Sequence, residues 1–515
     1  MIARTDNLPR GWIRGTLADL VKPRGEKVSP LEFPDYEFIG MDHVERDTNR
    51  IIGSTPASTM KSSAARFYAG DVLYGRLRPY LNKVTQPWFD GLASAEFIVI
   101  SGNELVNAGF LKYRLSARDF VSFSSHLNEG DRPRVSFDQI GKFELLVPPP
   151  SEQERIVARI DELFSELDRG VESLRRAKEQ LKVYRQAVLI HAFQGKFTSD
   201  WREKEKGKFE TGDQLMDRVR QEREVRYSLD LEEWKAAVDD WERMGKPGKK
   251  PVKPRSPQAI ETSDLPFEPL PSGWVWQCLG NLNVDVFDGP FGSNLKTSDY
   301  VDEGVRVIRL ENIGYLEFVE EKHSYVTEEK YETIKKHTVH KGDLVFSSFV
   351  TDGIRVAILP GHIDRAVNKA DCFCIRLHGE TVRGDYLAHF LTTRSAYKQI
   401  ESEIHGVGRP RINTSQLKCF AIPLCSPHEQ NEVMAEIADK LSLADHIGSA
   451  LEDELRRCEK LRESILARAF SGQLVEQNAN DEPVSALLER IGAEDAAQDT
   501  VGSKRAKKKK SKDAA

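Results

Sequence analysis

The side chains that could do chemistry do not occur in the spacings that known catalytic sites require. A phosphate-binding loop needs Gly-Lys followed by Ser or Thr, whereas every Gly-Lys here precedes Phe, Pro or Lys. Neither a His-Glu-x-x-His zinc motif nor a Gly-x-Ser-x-Gly nucleophile turn occurs, and no Cys-x-x-Cys pair is present. The triplets Glu320-Glu321-Lys322 and Glu328-Glu329-Lys330 are similar to nuclease triplets, but 30% charged residues produce such triplets by chance. The sequence therefore favours a binding protein over an enzyme.

A repeated arginine motif indicates that the chain contains two similar modules. Arg132-Pro133-Arg134 returns 277 residues later as Arg409-Pro410-Arg411. Ser151-Glu152-Gln153 and His428-Glu429-Gln430 keep the same offset. The repeat is too long for a solenoid unit, whose period is about 20–50 residues. We interpret it as a duplicated domain, which suits a ligand with two similar halves.

Each repeat begins with short strand-like runs and continues into one long helical pattern. Aromatic and β-branched runs between Gly, Pro and Asn breaks predict strands, as in Glu96-Phe97-Ile98-Val99-Ile100. After Pro148-Pro149-Pro150, apolar residues recur at alternating steps of four and three from Ile156 to Val188, which is typical of a coiled-coil seam. The second repeat has the same pattern after Pro427. The predicted fold class is α+β, with two similar globular modules separated by two long helices that form an antiparallel coiled coil.

The predicted domain boundaries follow the chain order, and two polar segments lie outside the repeat. Residues 198–265 form a charged, proline-rich insert, and the C-terminal end carries seven Lys or Arg between Lys504 and Lys512. An alternative to the paired helices is that each helix packs on its own module. The boundaries are the first module, 1–150; its long helix, 151–197; the insert and linker, 198–265; the second module, 266–427; its long helix, 428–475; and a C-terminal helix with a basic disordered tail, 476–515.

Bulk charge and hydropathy restrict the class of protein. The formal net charge is −6, so any binding to nucleic acid must depend on local patches or on partner subunits. The longest apolar run is shorter than a membrane helix of about 18 residues, and the first residues lack the apolar core of a signal peptide. We expect a cytoplasmic protein that does not bind membranes.

Taken together, these motifs resemble the specificity subunits of type I restriction–modification systems. The resemblance depends on the duplicated module, the Glu-Gln entry to each helix, and Ala192-Phe193-Gln194-Gly195 with its copy Ala469-Phe470-Ser471-Gly472. In the second module, 289–296 and 304–310 are also similar to that family. The resemblance covers most of the chain.

That resemblance implies a non-catalytic DNA-recognition subunit. Each module would be a target recognition domain that reads one half of a bipartite duplex sequence, and the helices would set the spacing between the halves. Two methyltransferase subunits and the restriction subunits would be its protein partners. It implies no cofactor in this chain, since the partners would hold S-adenosylmethionine, Mg²⁺ and ATP. The alternative is a coiled-coil structural or protein-interaction scaffold without a DNA role.

Candidate DNA-binding residues follow from the chemistry of base edges and phosphates. Arg and Lys reach guanine edges and phosphates, so arginines that differ between the modules are the better base readers. The arginines common to both modules suit phosphate contact or a framework role instead. The candidates are Arg76, Arg78, Tyr80, Arg132, Arg134, Lys296, Arg309, Arg355, Arg409 and Arg411.

Overall fold

The protein contains two compact units, each built around one of the repeated modules. The computed structural model describes residues 8–261, 268–351, 353–401 and 410–491. Unit 1 combines the chain up to Arg176 with the chain from Leu451, and unit 2 is the continuous stretch Ala177–Ala450. Each unit therefore contains one module and one half of each long helix. The α+β class, with two similar modules and two long helices, is confirmed.

Unit 1 contains ten short strands that form three sheets. The five-stranded sheet has the order β2-β5-β8-β3-β4, the three-stranded sheet has the order β7-β6-β9, and β1 pairs with β10. Only β3 and β8 pair in parallel among these strands. The strands are β1 (Ile13–Thr16), β2 (Lys27–Val28), β3 (Glu37–Ile39), β4 (Thr55–Pro56), β5 (Ala64–Phe67), β6 (Val72–Gly75), β7 (Val84–Thr85), β8 (Gly91–Ala93), β9 (Phe97–Ile100) and β10 (Glu144–Val147).

Five helices begin in the part of unit 1 before residue 177, and the last of them is the first long helix. A capping box at Ser136 starts the short helix before β10. The helices are α1 (Leu17–Leu20), α2 (Ala108–Leu115), α3 (Arg118–Ser125), α4 (Phe137–Ile140) and α5 (Pro150–Phe193). In the core of unit 1, Ile156, Ile160 and Phe164 of α5 pack with residues of α2 and α3.

Unit 2 repeats this arrangement with longer connections. Its sheets have the orders β12-β20-β17-β18, β13-β15-β14-β19-β16 and β11-β21, and β14 with β19 is again the parallel pair. The elements are α6 (Ser199–Lys204), α7 (Gly212–Arg243), β11 (Val275–Cys278), β12 (Val284–Phe287), β13 (Tyr300–Val301), β14 (Val305–Ile308), β15 (Tyr325–Val326), α8 (Glu328–Ile334), β16 (Thr338–His340), β17 (Leu344–Ser347), β18 (Val356–Ile358), β19 (Arg365–Asn368), β20 (Cys372–Leu377), α9 (Gly384–Leu391), α10 (Arg394–Glu401), α11 (Thr414–Lys418), β21 (Ala421–Leu424) and α12 (Pro427–Phe470).

The Gly-Asp turn before β6 and before β17 holds a buried carboxylate in both units. Asp71 accepts a bidentate hydrogen bond from Arg24, at 2.6 and 3.0 Å. The equivalent Asp343 accepts a hydrogen bond of 2.7 Å from Arg376, which lies on a different strand. A buried carboxylate requires a cation or several donors, so each module kept the acid and neutralised it in its own way.

Each Glu-Gln motif attaches the start of a long helix to its module. The Gln153 side chain accepts from the Asn107 amide at 2.7 Å and donates to the carbonyls of Leu105 and Pro148, at 2.7 and 2.8 Å. Gln430 makes the same set of bonds in unit 2, with the Arg383 amide and the carbonyls of Thr381 and Cys425. Both glutamines are fully buried, and all their bonds go to backbone that would otherwise lack partners.

The two long helices run antiparallel where they meet in unit 2. The Leu181 side chain lies beside Gly448, and four residues further along α5 the Arg185 guanidinium pairs with Asp445, at 2.6 Å. A step forward along α5 is therefore a step back along α12. In unit 1, Arg462 of α12 pairs with Asp168 of α5. These contacts confirm the predicted antiparallel pairing.

The end of each long helix packs in the unit where that helix did not start. Phe193, the last residue of α5, packs on Tyr386 and Phe390 of unit 2, with ring centroids 5.0 and 5.3 Å apart. Phe470, the last residue of α12, packs on Phe110 of unit 1, with ring centroids 5.4 Å apart. The alternative that each helix packs only on its own module is therefore wrong.

Glycine is required two residues after both of those phenylalanines. Gly195 and Gly472 have φ values of 64° and 72°, in the left-handed region that ends helices. A Cβ at Gly195 would lie 2.6 Å from the Pro271 side chain, and one at Gly472 would lie 2.8 Å from the Pro9 side chain. The repeated Phe-x-Gly thus lets each helix end close to the first residues of a module.

The insert contains α6, α7 and an irregular proline-rich segment that follows α7. The first half of α7 lies on unit 2 through Arg223, which donates to the Asn281 carbonyl at 2.8 Å, and Arg226, which binds Asp285. Beyond α7, the linker folds back along that helix. The indole N–H groups of Trp241 and Trp234, both on α7, donate to the carbonyls of Pro247 and Pro251, each at 3.0 Å.

Lowering the pH should weaken the packing of α7 on the rest of unit 2. Burial alone disfavours the Asp285 carboxylate, but hydrogen bonds from Arg226 and His378 outweigh it and lower the pKa of Asp285 below its usual 3.8. Because the folded-state pKa is the lower one, the stabilisation is present above the unfolded-state pKa and is lost as pH falls through the folded-state value. We expect the protection of amides in the first half of α7, which is their exchange rate relative to the intrinsic rate at the same pH, to fall below about pH 4.

Two variants test the assignment of this acid sensitivity. Asp285→Asn should remove the loss of protection in acid, because no carboxylate is left at position 285 to titrate. Asp240→Asn is the matched control, since Asp240 pairs only with Arg243 on the same helix among the described contacts. Unchanged pH dependence in Asp285→Asn would contradict the assignment.

The described ranges contain neither a membrane-spanning helix nor a cluster of metal ligands. No helix there combines the length and apolar character needed to cross a bilayer. No three His, Cys, Asp or Glu side chains in those ranges gather as ligands for a metal ion.

Candidate nucleic-acid interface

In unit 1, two neighbouring segments carry five of the candidate residues. The segment after β6 contains Arg76, Arg78 and Tyr80, and it lies against 131–135. The Val135 amide donates to the Arg76 carbonyl at 3.0 Å, and the Arg78 amide donates to the Pro133 carbonyl at 2.7 Å. These two segments, which are more than 50 residues apart in sequence, are thus adjacent in the fold.

The side chains of this cluster divide into held and exposed ones. The Arg76 guanidinium donates to the Val135 carbonyl at 3.0 Å, and the Arg78 guanidinium donates to the Asp131 carbonyl at 3.3 Å. Tyr80 is 46% exposed, and Arg132 is also exposed. Guanidiniums held only by carbonyls keep their charge uncompensated, which suits contact with phosphates or base edges.

Arg134 is paired with a carboxylate of the same module. Its Nη2 and Nε atoms bind the two oxygens of Glu96 at 2.6 and 3.0 Å. Hydrogen bonding to Glu96 raises the pKa of Arg134. The equivalent Arg411 lies 3.4 Å from Asp371, which corresponds to Glu96. The arginine common to both modules therefore has a framework partner in each, as its repetition suggested.

The backbone beside this cluster adopts strained conformations. Arg78 and Asn82 have φ values of 51° and 46°, and Asp47 and Asn49 have φ values of 63° and 62°. The two loops touch, because the Asp47 amide donates to the Asn82 carbonyl at 3.3 Å. Left-handed conformations of residues other than glycine are costly and concentrate at functional sites. This local strain independently marks the loop after β6.

Unit 2 brings together a smaller set of candidates on the same framework. Phe349 forms an isolated bridge with Arg411, as Leu77 does with Arg134 in unit 1. Arg355 donates to the Ser347 hydroxyl at 3.1 Å and to the Ile313 carbonyl at 3.3 Å, which fixes it beside the end of β17.

Of the remaining candidates of the second module, Arg309 and Lys296 lie in the described ranges and Arg409 does not. Arg309 pairs with Glu311 at 3.3 Å, and its guanidinium lies 5.7 Å from the centre of the Tyr300 ring. Lys296 has an exposed side chain in the loop before Tyr300. Arg409 and the basic tail 504–512 lie outside the described residues. The candidates of unit 1 thus form one cluster, and the described candidates of unit 2 lie on four separate segments of the chain.

The acidic partners of the common arginines were not among the predicted site residues. Glu96 and Asp371 stand at equivalent positions, each just before the strand that pairs with β6 or β17. An acid retained in both repeats, beside otherwise apolar strands, was the available signal. Its distant arginine partner could be found only from the fold.

Similarity to known proteins agrees with this arrangement. Residues 293–457 match the family described as the type I restriction modification DNA specificity domain. The type I restriction enzyme EcoKI specificity subunit of Escherichia coli strain K12 is 23% identical over 436 residues, which cover 82% of this chain and 77% of that protein. The chain is thus similar to specificity subunits of type I restriction enzymes, and residues 293–457 match their DNA specificity domain.

Other specificity subunits match over shorter stretches or by fold. The EcoDI specificity subunit of Escherichia coli is 27% identical over 38% of this chain, and the match spans only 44% of that relative's length. A solved chain from work on complex assembly and conformational transition of the type I R-M system has a TM-score of 0.64 at 18% identity. It covers 91% of this chain and 100% of that chain, which shows a shared fold.

Proposed function

We propose that this specificity subunit recognises a bipartite DNA sequence, with each module reading one half. The carrying observation is the pair of loops on one framework: Leu77 and Phe349 make the same bridge to Arg134 and Arg411. The side chains around those bridges differ, with Arg76 and Arg78 in unit 1 against Ser348 and Val350 in unit 2. A shared frame with different readers suits two unlike half-sites.

The long helices would set the spacing between the half-sites. Each contains 44 residues, which corresponds to about 66 Å at ~1.5 Å per residue. Each is anchored near both ends by buried side chains, such as Ile156 and Phe193 on α5. A strut of this kind fixes a separation, as a dimer does on two half-sites of a palindrome.

Catalysis would reside in partner subunits. Two methyltransferase subunits would bind S-adenosylmethionine and flip the target bases, while restriction subunits would use ATP and Mg²⁺. Their surfaces would also supply positive charge, which the net charge of −6 on this chain does not provide. The cytoplasmic location expected from the sequence stays a prediction that accords with these partners.

Footprinting of the complex with methyltransferase subunits tests this proposal. We expect two protected half-sites separated by bases whose identity is indifferent. Exchanging residues 8–147 for the corresponding module of another specificity subunit should change one half-site only. A continuous single site, or a change in both halves, would contradict modular reading. Absence of any sequence-specific protection would favour a scaffold without a DNA role.

A further inference from the structure

Unit 2 contains a positively charged cavity that the proposed reading of DNA does not use. Its volume is about 650 Å³, and it lies beside the edge strand β12. The cationic residues that line it are Lys335, Lys336, Arg376 and Lys418, and His340 lies beside them. Asp285 is the only carboxylate among the lining residues.

That carboxylate does not neutralise the cavity. Asp285 already accepts hydrogen bonds from Arg226 at 2.6 Å and from His378 at 2.8 Å. Asp343 beneath the cavity is taken by Arg376, whose Nε and Nη2 atoms bind it at 3.1 and 2.7 Å. Asp285 and Asp343 are therefore already paired.

Several cationic groups of the cavity keep free donors. Among the described residues, neither Lys336 nor Lys418 has a carboxylate within ion-pair distance, and the Nη1 atom of Arg376 donates no hydrogen bond. Lys335 is only partly available, because it pairs with the exposed Glu332 at 3.0 Å. Three donors directed at one space match an anion with several oxygens.

The aromatic residues of the cavity are already covered. The Arg376 guanidinium lies 5.5 Å from the centre of the Phe287 ring, and that of Arg365 lies 5.0 Å from the centre of the Tyr331 ring. No nucleobase is needed to explain the site, since its free groups are cationic.

The cavity is distinct from the candidate nucleic-acid interface. Arg376 follows Ile375, which pairs with Leu344 at the start of β17, whereas Arg411 and Phe349 lie beyond Ser347 at the end of that strand. In addition, β12 and β18 are opposite edges of this sheet, and Arg355 precedes β18.

Within the described part of unit 1, the positions equivalent to these cavity residues lack the same chemistry. Gly141 stands at the position of Lys418, and Ser101 stands at the position of Arg376. The stretch around Lys335 and Lys336 includes α8, and the corresponding stretch of unit 1 has only a short 3-10 turn, Ala57–Thr59. The positive charge around the cavity therefore occurs in one module only. A structural role common to both modules would not explain it.

We propose that this cavity binds a phosphate-bearing anion with several charges. The phosphates have two sources, a free oligophosphate or the phosphodiester backbone of DNA beside the half-site read by the second module. The position of the cavity, away from Arg411 and Phe349, favours the free ligand. The DNA source alone rests on the proposed function.

Titration calorimetry of the full chain with inorganic tripolyphosphate tests the free-ligand source. The double variant Lys336→Ala/Lys418→Ala should bind at least about tenfold more weakly, because it removes two charge-assisted hydrogen bonds to the anion. The control Lys341→Ala/Lys398→Ala removes the same charge from exposed lysines that do not line the cavity, and it should bind like the parent chain.

The DNA source is tested by the salt dependence of DNA binding by the complex with methyltransferase subunits. If the cavity holds DNA phosphates, the slope of log affinity against log salt should become shallower by about 0.9 for each phosphate that the double variant no longer neutralises. A changed slope without tripolyphosphate binding assigns the site to the duplex. If neither measurement separates the double variant from its control, the proposal is overturned. The two-part footprint should persist throughout, so this failure is distinct from failure of half-site reading.

Discussion

Replacing Arg76 and Arg78 by alanine should abolish discrimination in one DNA half-site while leaving the other intact. Their guanidiniums are held by carbonyl oxygens of Val135 and Asp131 and keep their full charge. Loss of an arginine that reads a base costs about 1–3 kcal/mol, which is roughly 5- to 150-fold in affinity. Binding to all single-base variants of both half-sites, measured on the complex with methyltransferase subunits, gives the profile.

Two matched variants make that measurement specific. Arg14→Ala removes a half-exposed arginine of β1 that lies 3.8 Å from Glu144, and it should leave both profiles unchanged. Arg134→Ala should weaken binding about equally for all sequences, since its Glu96 partner gives it a framework role. Equal loss in both half-sites for Arg76→Ala/Arg78→Ala would exclude these residues as readers of the first half.

Replacing Gln153 by alanine should lower the free energy of unfolding of unit 1 far more than that of unit 2. The change leaves the Asn107 amide and the carbonyls of Leu105 and Pro148 without the partner that the fully buried Gln153 side chain supplies. Each such group costs about 1–3 kcal/mol, so we expect a loss of about 3 kcal/mol or more in the free energy of unfolding. Hydrogen exchange of the α2 amides in unit 1 and of the α9 amides in unit 2 reports each unit separately.

The duplicated motif provides the reciprocal experiment. Gln430→Ala should accelerate exchange in α9 and spare α2, because Gln430 makes the same bonds in unit 2. Glu154→Ala changes an exposed position next to Gln153 and should alter neither. If Gln153→Ala changes the stability of unit 1 by less than about 0.5 kcal/mol, the ordinary effect of a surface substitution, Gln153 does not anchor the helix.

Periodicity and repetition made the large elements predictable from sequence. The proline entry, the Glu-Gln motif and Phe-x-Gly predicted helices after Pro148-Pro149-Pro150 and after Pro427, and α5 and α12 run there. Periodicity also predicted that the helices would pair. It could not show that Phe193 would pack on Tyr386, because the pattern identifies Phe193 as apolar but does not identify the residue that it contacts.

The candidate site was predictable in composition but not in geometry. Repetition separated Arg134 and Arg411 from the other arginines, and the fold then gave them the acidic partners Glu96 and Asp371. The charged cavity left no sequence signal, since Lys336 and Lys418 are ordinary surface lysines until β12 and α8 place them around one space. Pairing across such distances depends on strand register, which short strands specify weakly.

The two units differ in whether they are continuous in sequence, and this difference has a consequence for biosynthesis. Unit 2 is one uninterrupted stretch, whereas unit 1 must gather its last pieces from beyond Leu451. Val484, from the C-terminal stretch, donates its amide hydrogen to the Gly11 carbonyl at 3.1 Å. Because a ribosome releases the N-terminal end first, the earliest-made module is the last that can be completed. In a nascent chain, unit 2 could therefore be completed well before unit 1. A premature stop codon after α12 would remove C-terminal residues of unit 1 and so damage the unit whose module was translated first.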